Sequence, residues 1–584
     1  MASDDTSGQG PSSEEVADEV VPATPDGQRP RGRRGAHRKV RSRRFIWIRR
    51  GLIAVGLVIV LVVGGVVADY YYLGSLVKRV VVHHIQPVKP GPGATENILL
   101  IGSTTRCGLK QQNLAYGLCS QGVTGVNSDI DMIIHLDPTT GAVALLSIPR
   151  DLFIPNARLE GANKIDAALY EGPSQLVAAI EEDFAIPINH YVELNFDTFA
   201  NVVNALGGVH MYFPVPIYDA YSGLNIERPG CYLLDGVRAL QVVRARHLQI
   251  QPTPTNHDPH TWPQEALSDL ARIRRTHEFL RVLAAQVAAR GLDNPIVDQH
   301  LATAVLPDLT VDSGFSEHEM VSLARTFAHT SIANVPQLTF PTLEVEVGSY
   351  PYQGYEYGDV EFPIEPTGVD TVNSIFGVAR GDSSFTNEPL PRPVSVAVSV
   401  EDGTGVASAA GLVDTQLARL GFNVTGIGSV APVGPVSETV VWYGGPPPPA
   451  NGDWISPSLA KAQAVQAELR GPVILGYDPA EVTKGDAVTV QTGTDVSVRP
   501  PAPVATTTTT LTRTSTTTTT LHRKKSTGTT TTTTTLSTTT STTTTTIYDP
   551  PGVSTNGDFS APNPTSQALA PYDPRACNAA GTGP

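Results

Sequence analysis

Gly51 to Ala68 is an unbroken run of 18 uncharged residues dominated by Val, Leu and Ile. With tilt or a few flanking residues, such a run spans the hydrocarbon core of a bilayer as a helix. Tyr70, Tyr71 and Tyr72 follow it, where aromatic rings settle at a membrane interface. A basic block from Arg29 to Arg50 precedes it, including Arg33, Arg34, Arg43, Arg44, Arg49 and Arg50. Positive flanks stay cytoplasmic, so the bulk of the chain is expected outside the cell membrane, held by one span. A cleaved signal peptide fits less well, because about 44 polar residues come first and no small-x-small site ends the run.

Charge divides at the same place. Residues 1–50 carry 11 Lys/Arg and 7 Asp/Glu, whereas the whole 584-residue chain has a net charge of -15. An acidic bulk argues against nucleic acid as a partner, since duplex affinity comes largely from neutralising phosphates. It also makes any local cluster of arginines stand out.

The length calls for more than one domain. Residues 1–44 are too polar to form a core and are expected to be a disordered cytoplasmic tail. Residues 45–75 form the anchor and 76–94 a linker. From Asn97 the texture changes: Asn97–Ile101, Met132–Leu136 and Val143–Ile148 read as buried strands. Helical stretches follow at Ser174–Asp183, Thr198–Leu206 and Glu265–Arg290, so residues 95–378 are expected to be an α/β or α+β domain. A second small α/β domain is expected over 393–497, with strands at Val394–Val400, Thr439–Tyr443 and Val473–Leu475 and helices at Ala407–Leu420 and Ser458–Leu469. Residues 506–546 hold 28 Thr in 41 positions, so 498–584 reads as a disordered tail or stalk. Cys107 and Cys119 bracket a short loop and suggest a disulfide, free thiols being the alternative; Cys231 and Cys577 have no evident partner.

No phosphate loop of Walker type, nucleophile elbow or helical pair of metal-binding histidines is present. His257 and His260 lie in a Pro-rich stretch that reads as a solvated loop. Arginines stand instead at the ends of elements. Arg150 and Asp151 follow the strand ending at Ile148, and Arg106 follows the first strand after a Gly-Ser-Thr-Thr turn. Arg244 and Arg246 are spaced to share one face of a strand. Asp269, Arg272 and Arg275 recur along the long helix, where Asp269 and Arg272 can also pair with each other. Planar, permanently charged guanidiniums from several chain positions suit a pyrophosphate; scattered surface ion pairs are the plainer alternative.

These blocks, in this order, resemble the LytR–CpsA–Psr family of cell-wall glycopolymer transferases. The resemblance runs through Asn97–Ser103, Ser128-Asp129, Leu136–Pro138, Ser147–Asp151, Lys164–Ala168, Leu206–Val209, Leu234–Gly236, Val243–Arg246 and Ser268–Arg275. Residues 393–495 look like the C-terminal domain that often accompanies the family. The resemblance implies a mixed sheet flanked by helices, a hydrophobic tunnel for a polyprenyl chain and an arginine-lined mouth for pyrophosphate. It implies transfer of a glycopolymer, of arabinogalactan, teichoic-acid or capsule type, from polyprenyl pyrophosphate to a peptidoglycan hydroxyl. By resemblance, Arg106, Arg150, Lys164, Arg244, Arg246, Asp269, Arg272 and Arg275 contact the donor, and Arg150, Arg244 and Arg246 take part in catalysis. Asp151 is expected to act as general base or to orient an arginine. Asp129 is the expected Mg²⁺ ligand, with Asp131 as a second carboxylate on the same strand face.

Three positions depart from the family pattern. Thr104 stands where an Asp usually follows Gly-Ser, Asn127 where an Arg usually precedes Ser-Asp, and Thr276 where a Gln usually follows the last arginine. The first removes a metal ligand and motivates an alternative: a non-catalytic protein that binds polyprenyl phosphate or glycopolymer and regulates wall assembly.

Overall fold

A computed structural model describes most of residues 72–500, the stretches 505–513 and 536–544, and residues 568–578. The longest internal stretches outside that description are 545–567, 514–535 and 291–302. The apolar run 51–68 and the tail before it also lie outside. Among the described residues, no helix is long and apolar enough to cross a membrane.

Seven strands form the first sheet: β1 (Lys78–Val80), β2 (Glu96–Ser103), β3 (Ser128–Asp137), β4 (Ala142–Ile148), β5 (His190–Leu194), β6 (Thr310–Asp312) and β7 (Gln337–Thr339). Their spatial order is β1-β6-β5-β2-β3-β4-β7. The sheet is mixed, with β2 antiparallel to β3 and parallel to β5. The near-continuous apolar runs of β2, β3 and β4 arise because both faces are covered. Leu99, Ile101, Ile133, Leu146 and Ile148 face a core shared with Leu176, Val177 and Ile180 of helix α1 (Pro173–Phe184) and with Ile165 and Leu169 of a 3₁₀ segment, Ile165–Glu171. On the other face Ile98, Leu136 and Val311 pack with Phe315 and Met320.

Helices α2 (Phe196–Ala205), α3 (Gly236–Arg244) and α4 (Ser268–Arg290) gather around a smaller sheet of residues 209–213, 230–234 and 575–576. Helix α5 (Glu317–Phe327) lies beside the first sheet, and α6 (Thr367–Phe376) contributes Val372 and Ile375 to its core.

The two expected domains are not independent. An eight-stranded sheet takes β8 (Thr342–Val345) and β9 (Val360–Glu365) from the first region and β10 (Ala397–Asp402), β11 (Asn423–Ser429), β12 (Thr439–Tyr443), β13 (Leu469–Tyr477) and β14 (Val488–Thr492) from the second, with the short strand Ser497–Val498 pairing beside β13. Ile364 and Glu365 of β9 pair with Pro472 and Gly471 of β13. Helices α7 (Ala407–Arg419) and α8 (Leu459–Gln466) complete the second region. Asn156 clasps Tyr477 through two hydrogen bonds, one of them accepted by the Tyr477 carbonyl, each of 2.9 Å. The Tyr443 hydroxyl donates to the Glu182 carbonyl at 3.0 Å.

Parts of the tail expected to be disordered carry structure, whereas its stretches 514–535 and 545–567 lie outside the described residues. Residues 505–513 pair with 536–544 as an antiparallel ribbon, consistent with the β preference of threonine. Residues 568–578 return to the first region, where Arg575 and Ala576 add a strand to residues 211–212 and Cys577 is bonded to Cys231. The buried Asp573 carboxylate pairs with Arg274 at 2.6 Å. Local sequence did not reveal these partners because the disulfide alone spans 346 residues and the Arg274–Asp573 pair 299.

Candidate active site

Three chain segments end at one rim of the first sheet. β2 stops at Ser103 and turns through Thr104 to Arg106; β3 begins at Ser128 beside it; β4 stops at Ile148, so Pro149 carries the chain to Arg150 and Asp151. Helix α3 brings a fourth. Asp235 caps its start by accepting from the Arg238 amide, and the helix ends at Arg244 with Ala245 extended. The expected strand around Arg244 and Arg246 is therefore a helix terminus. Both arginines still reach the rim because the chain leaves the helix between them, and a cation in the last turn suits the helix dipole.

The cleft has a volume of about 550 Å³ and is lined by Arg106, Arg150, Arg244, Arg246 and Arg272, with Asp129, Thr104, Asn127 and Tyr221. Asp129 is ion-paired with Arg150, lies 3.8 Å from Arg244 Nε, and its backbone carbonyl accepts from Arg272. Despite its burial, these arginines hold its carboxyl below the usual range. Asp151 pairs with Arg246 and, at 2.9 Å, with Lys164; Arg150 Nε is 3.7 Å away. The same cations keep Asp151 ionised against burial, which makes it a poor proton acceptor near neutrality and suits it to orienting arginines. Asp269 bridges Arg246 at 3.1 Å and Arg272 at 3.0 Å.

Six cations thus meet three paired carboxylates, with Asp166 nearby, pushed up to about 6 by burial and accepting from the Asn127 side chain at 3.0 Å. The cluster is net positive by two or three charges. Phe196 lies between two of these groups, its ring centroid 4.5 Å from the Arg244 guanidinium and 5.5 Å from that of Arg106. Its quadrupole favours like charges held close together. Phe196 was missed in the sequence because it opens an ordinary amphipathic helix.

Five expected site residues do not line the cleft: Asp151, Lys164 and Asp269 stand behind it in the ion pairs just described, and Arg275 and Asp131 are engaged elsewhere. Arg275 is fully buried, pairing with Glu265 at 2.7 Å and donating to the Ala245 carbonyl, so it braces the segment after α3 instead of meeting solvent. Asp131 shares Asp129's strand face but is buried, accepts from Ser128 at 2.9 Å and, among the described residues, forms no ion pair with an arginine. Burial pushes its carboxyl up to about 7. As for the departures from the family pattern, Thr104 and Asn127 exchange hydrogen bonds of 2.8 and 2.9 Å, which closes the β2–β3 end of the cleft. Thr276 donates back to the Arg272 carbonyl at 3.0 Å. Cys107 and Cys119 are bonded, tying the loop after Arg106. The cleft's described lining is largely polar. A wider cavity of about 1240 Å³, partly lined by Leu338, Ile375 and Phe385, lies toward Asn97 and His135, at the other end of β2 and β3. The expected apolar tunnel opening beside the arginines is thus not seen among the described residues.

Fold and site together define a mixed α/β protein with a net-positive, arginine-lined cleft at a strand rim. Residues 82–361 match the model of the LytR_cpsA_psr family, and residues 395–495 match that described as LytR cell envelope-related transcriptional attenuator. Residues 82–361 thus form a LytR_cpsA_psr-family domain, followed by the second matched domain. It is 34% identical over 277 residues to a probable cell wall biosynthesis protein, LcpB, of Corynebacterium glutamicum, covering 47% of this chain and 60% of that one. It is 30% identical over 156 residues to a polyisoprenyl-teichoic acid–peptidoglycan teichoic acid transferase, TagU, of Bacillus cereus, covering 26% of this chain and half of the relative. Among solved structures, the LytR-Csp2A-Psr enzyme from Actinomyces oris aligns at 24% identity over 46% of this chain and 88% of that one, with a TM-score of 0.37.

Proposed function

We propose that this protein is a transferase of cell-wall assembly, moving a glycopolymer from a polyprenyl-pyrophosphate carrier to a peptidoglycan hydroxyl outside the membrane. The observation that carries the reading is the convergence of Arg106, Arg150, Arg244, Arg246 and Arg272 on one cleft whose fixed charge is positive. Transfer at phosphorus depends chiefly on positioning and on neutralising charge at the equatorial and leaving oxygens. Forked guanidiniums in pre-formed contacts supply both. Arg150 and Arg244, which flank Asp129, are placed to exchange that carboxylate for phosphate oxygens. Asp151 and Asp269 hold Arg246 and Arg272 in orientation. The activity for which the relative TagU is named supports the same reaction class.

In this proposal Mg²⁺ is held at Asp129, which reaches the cleft as a single carboxylate; Mg²⁺ takes its other ligands from phosphate and water. Bound there, the ion would add charge neutralisation at the phosphates. Asp131, buried and turned to Ser128, is not part of that site. The N-terminal run 51–68 would anchor the protein in the cell membrane, with residues 95–378 as catalytic domain and 393–497 as accompanying domain.

In vitro transfer from a polyprenyl-pyrophosphate-linked donor tests the reading. Arg244→Ala and Arg246→Ala should each lower the rate by at least 10²-fold with folding intact; full activity in both would remove the mechanism. The reciprocal Thr104–Asn127 pairing, in place of a metal-binding Asp, favours one second reading, a non-catalytic binder of the same lipid. That reading expects donor binding without Mg²⁺-dependent turnover.

A further inference from the structure

At the opposite end of β2 from the arginine cleft, three potential metal ligands from three elements come together. Glu96 opens β2, His190 opens β5 and Glu319 lies in the first turn of α5. One ligand atom from each lies within 4.8 Å of the others. Glu96 and His190 are more than nine-tenths buried, and among the described residues neither Glu96 Oε2 nor His190 Nε2 has a hydrogen-bond partner. His190 Nε2 faces Glu319 Oε1 at 3.5 Å.

The other imidazole nitrogen is accounted for. His190 Nδ1 is 3.3 Å from Asp312 Oδ2, which also accepts from the Tyr191 amide at 3.0 Å. Asp312 Oδ1 accepts from the Gly314 and Phe315 amides at 2.8 and 2.9 Å, so this carboxylate is fixed from both sides. The Phe315 ring stacks on the imidazole with centroids 4.0 Å apart. Donation from Nδ1–H to Asp312 sets the tautomer whose Nε2 lone pair points at two carboxylates. That arrangement is repulsive unless a cation lies among them, either a proton on the imidazole or a metal ion. A carboxylate behind a histidine is the usual outer support of a metal-binding imidazole.

We propose that Glu96, His190 and Glu319 form a binding site for one divalent transition-metal ion, with Zn²⁺ the best chemical fit, oriented by Asp312. One imidazole and two carboxylates are a donor set that zinc takes at about 2.0–2.2 Å, leaving a fourth position for water. Tetrahedral donors at that range stand roughly 3.3–3.6 Å apart, so the His190–Glu319 spacing already fits and Glu96 needs only a small side-chain rotation. The ion would join α5 to the ends of β2 and β5. Arg79 of β1 already grips this corner through the Phe315 carbonyl at 2.6 Å and Glu319's neighbour Glu317 at 2.9 Å. The site is independent of the proposed Mg²⁺ position: Glu96 and Ser103 lie seven residues apart along β2, roughly 23 Å.

The test is titration of the chelator-stripped, detergent-extracted full chain with Zn²⁺ and with Co²⁺, in excess Mg²⁺ to occupy any site at Asp129. One equivalent of Zn²⁺ should bind, and one equivalent of Co²⁺ should give visible d–d bands. Glu96→Gln and Glu319→Gln should each weaken binding at least tenfold, Asp312→Asn about tenfold, and Asp129→Asn not at all. Glu319 is partly exposed on a helix, so its substitution separates metal loss from misfolding, checked by thermal unfolding of the metal-free proteins. No stoichiometric uptake by the unmodified chain, or uptake unchanged in both Gln variants, would overturn the site.

Discussion

Asp129 and Asp131 stand two residues apart on β3 and face the same side of the sheet, yet their surroundings oppose each other. Asp129 reaches the rim among arginines; Asp131 lies beneath it, near Asp166 of the 3₁₀ segment 165–171. Asp131's folded pKa of about 7 lies above its unfolded value near 3.9. Its contribution is therefore fully present below about pH 4 and is lost as pH rises through about 7. Asp131→Asn should stabilise the protein by ~1–2 kcal/mol at pH 8 and change little at pH 4, measured by thermal or denaturant unfolding. Equal destabilisation at both pH values would show that Asp131 is needed as a carboxylate. Spacing alone brought Asp131 in beside Asp129, because an i, i+2 pattern reports a shared face and not what covers each position. Arg275 carries the same lesson: its motif matches the family, but Glu265 and the Ala245 carbonyl claim it before any ligand can.

At the scale of elements, the placing of Arg244 and Arg246 depends on how closely α3 meets α2. A Cβ added at Gly236 would stand 2.3 Å from the Ala200 carbonyl oxygen and 2.5 Å from its Cα, all backbone. The Gly236 amide also donates to the Asn204 side chain at 2.9 Å. Gly236→Ala should therefore force the helices apart, costing about 1–3 kcal/mol and lowering transfer more than stability, since α3 ends in the cleft. Unfolding curves and rate measurements on one preparation check this; an unchanged rate would show that α3 does not set the arginine geometry. Most elements were legible: the three central strands from apolar runs, and α4 and α7 from their amphipathic pattern. The segment 242–246 was misread because its i, i+2 arginines fit a strand as well as a helix that stops between them.

At the scale of the molecule, long-range contacts decide what local patterns could not. The seam between the two regions buries Glu182 and Glu365, both pushed up to about 8 by burial. Their folded values lie above the unfolded value near 4.3, so the stability they confer is present at low pH and lost as pH rises through about 8. Melting temperature should fall between pH 7 and pH 9, and the fall should be smaller in Glu182→Gln and Glu365→Gln; an identical fall would place the titration elsewhere. The returning segment 568–578 makes a further demand. Asp573→Ala leaves Arg274 without its carboxylate and removes a charge 3.8 Å from Arg275, which should cost about 3 kcal/mol. Removal of residues 500–584 should accordingly weaken the arginine-bearing region itself, contrary to an accessory stalk.

The most direct measurement is mass analysis of lipid that copurifies with the detergent-extracted full chain, beside an Arg150→Ala/Arg244→Ala double variant. A polyprenyl phosphate or pyrophosphate should accompany the unmodified protein and be depleted at least tenfold from the variant. Absence of any prenyl phosphate, or equal amounts in both preparations, would contradict an arginine cleft built for a lipid-linked pyrophosphate.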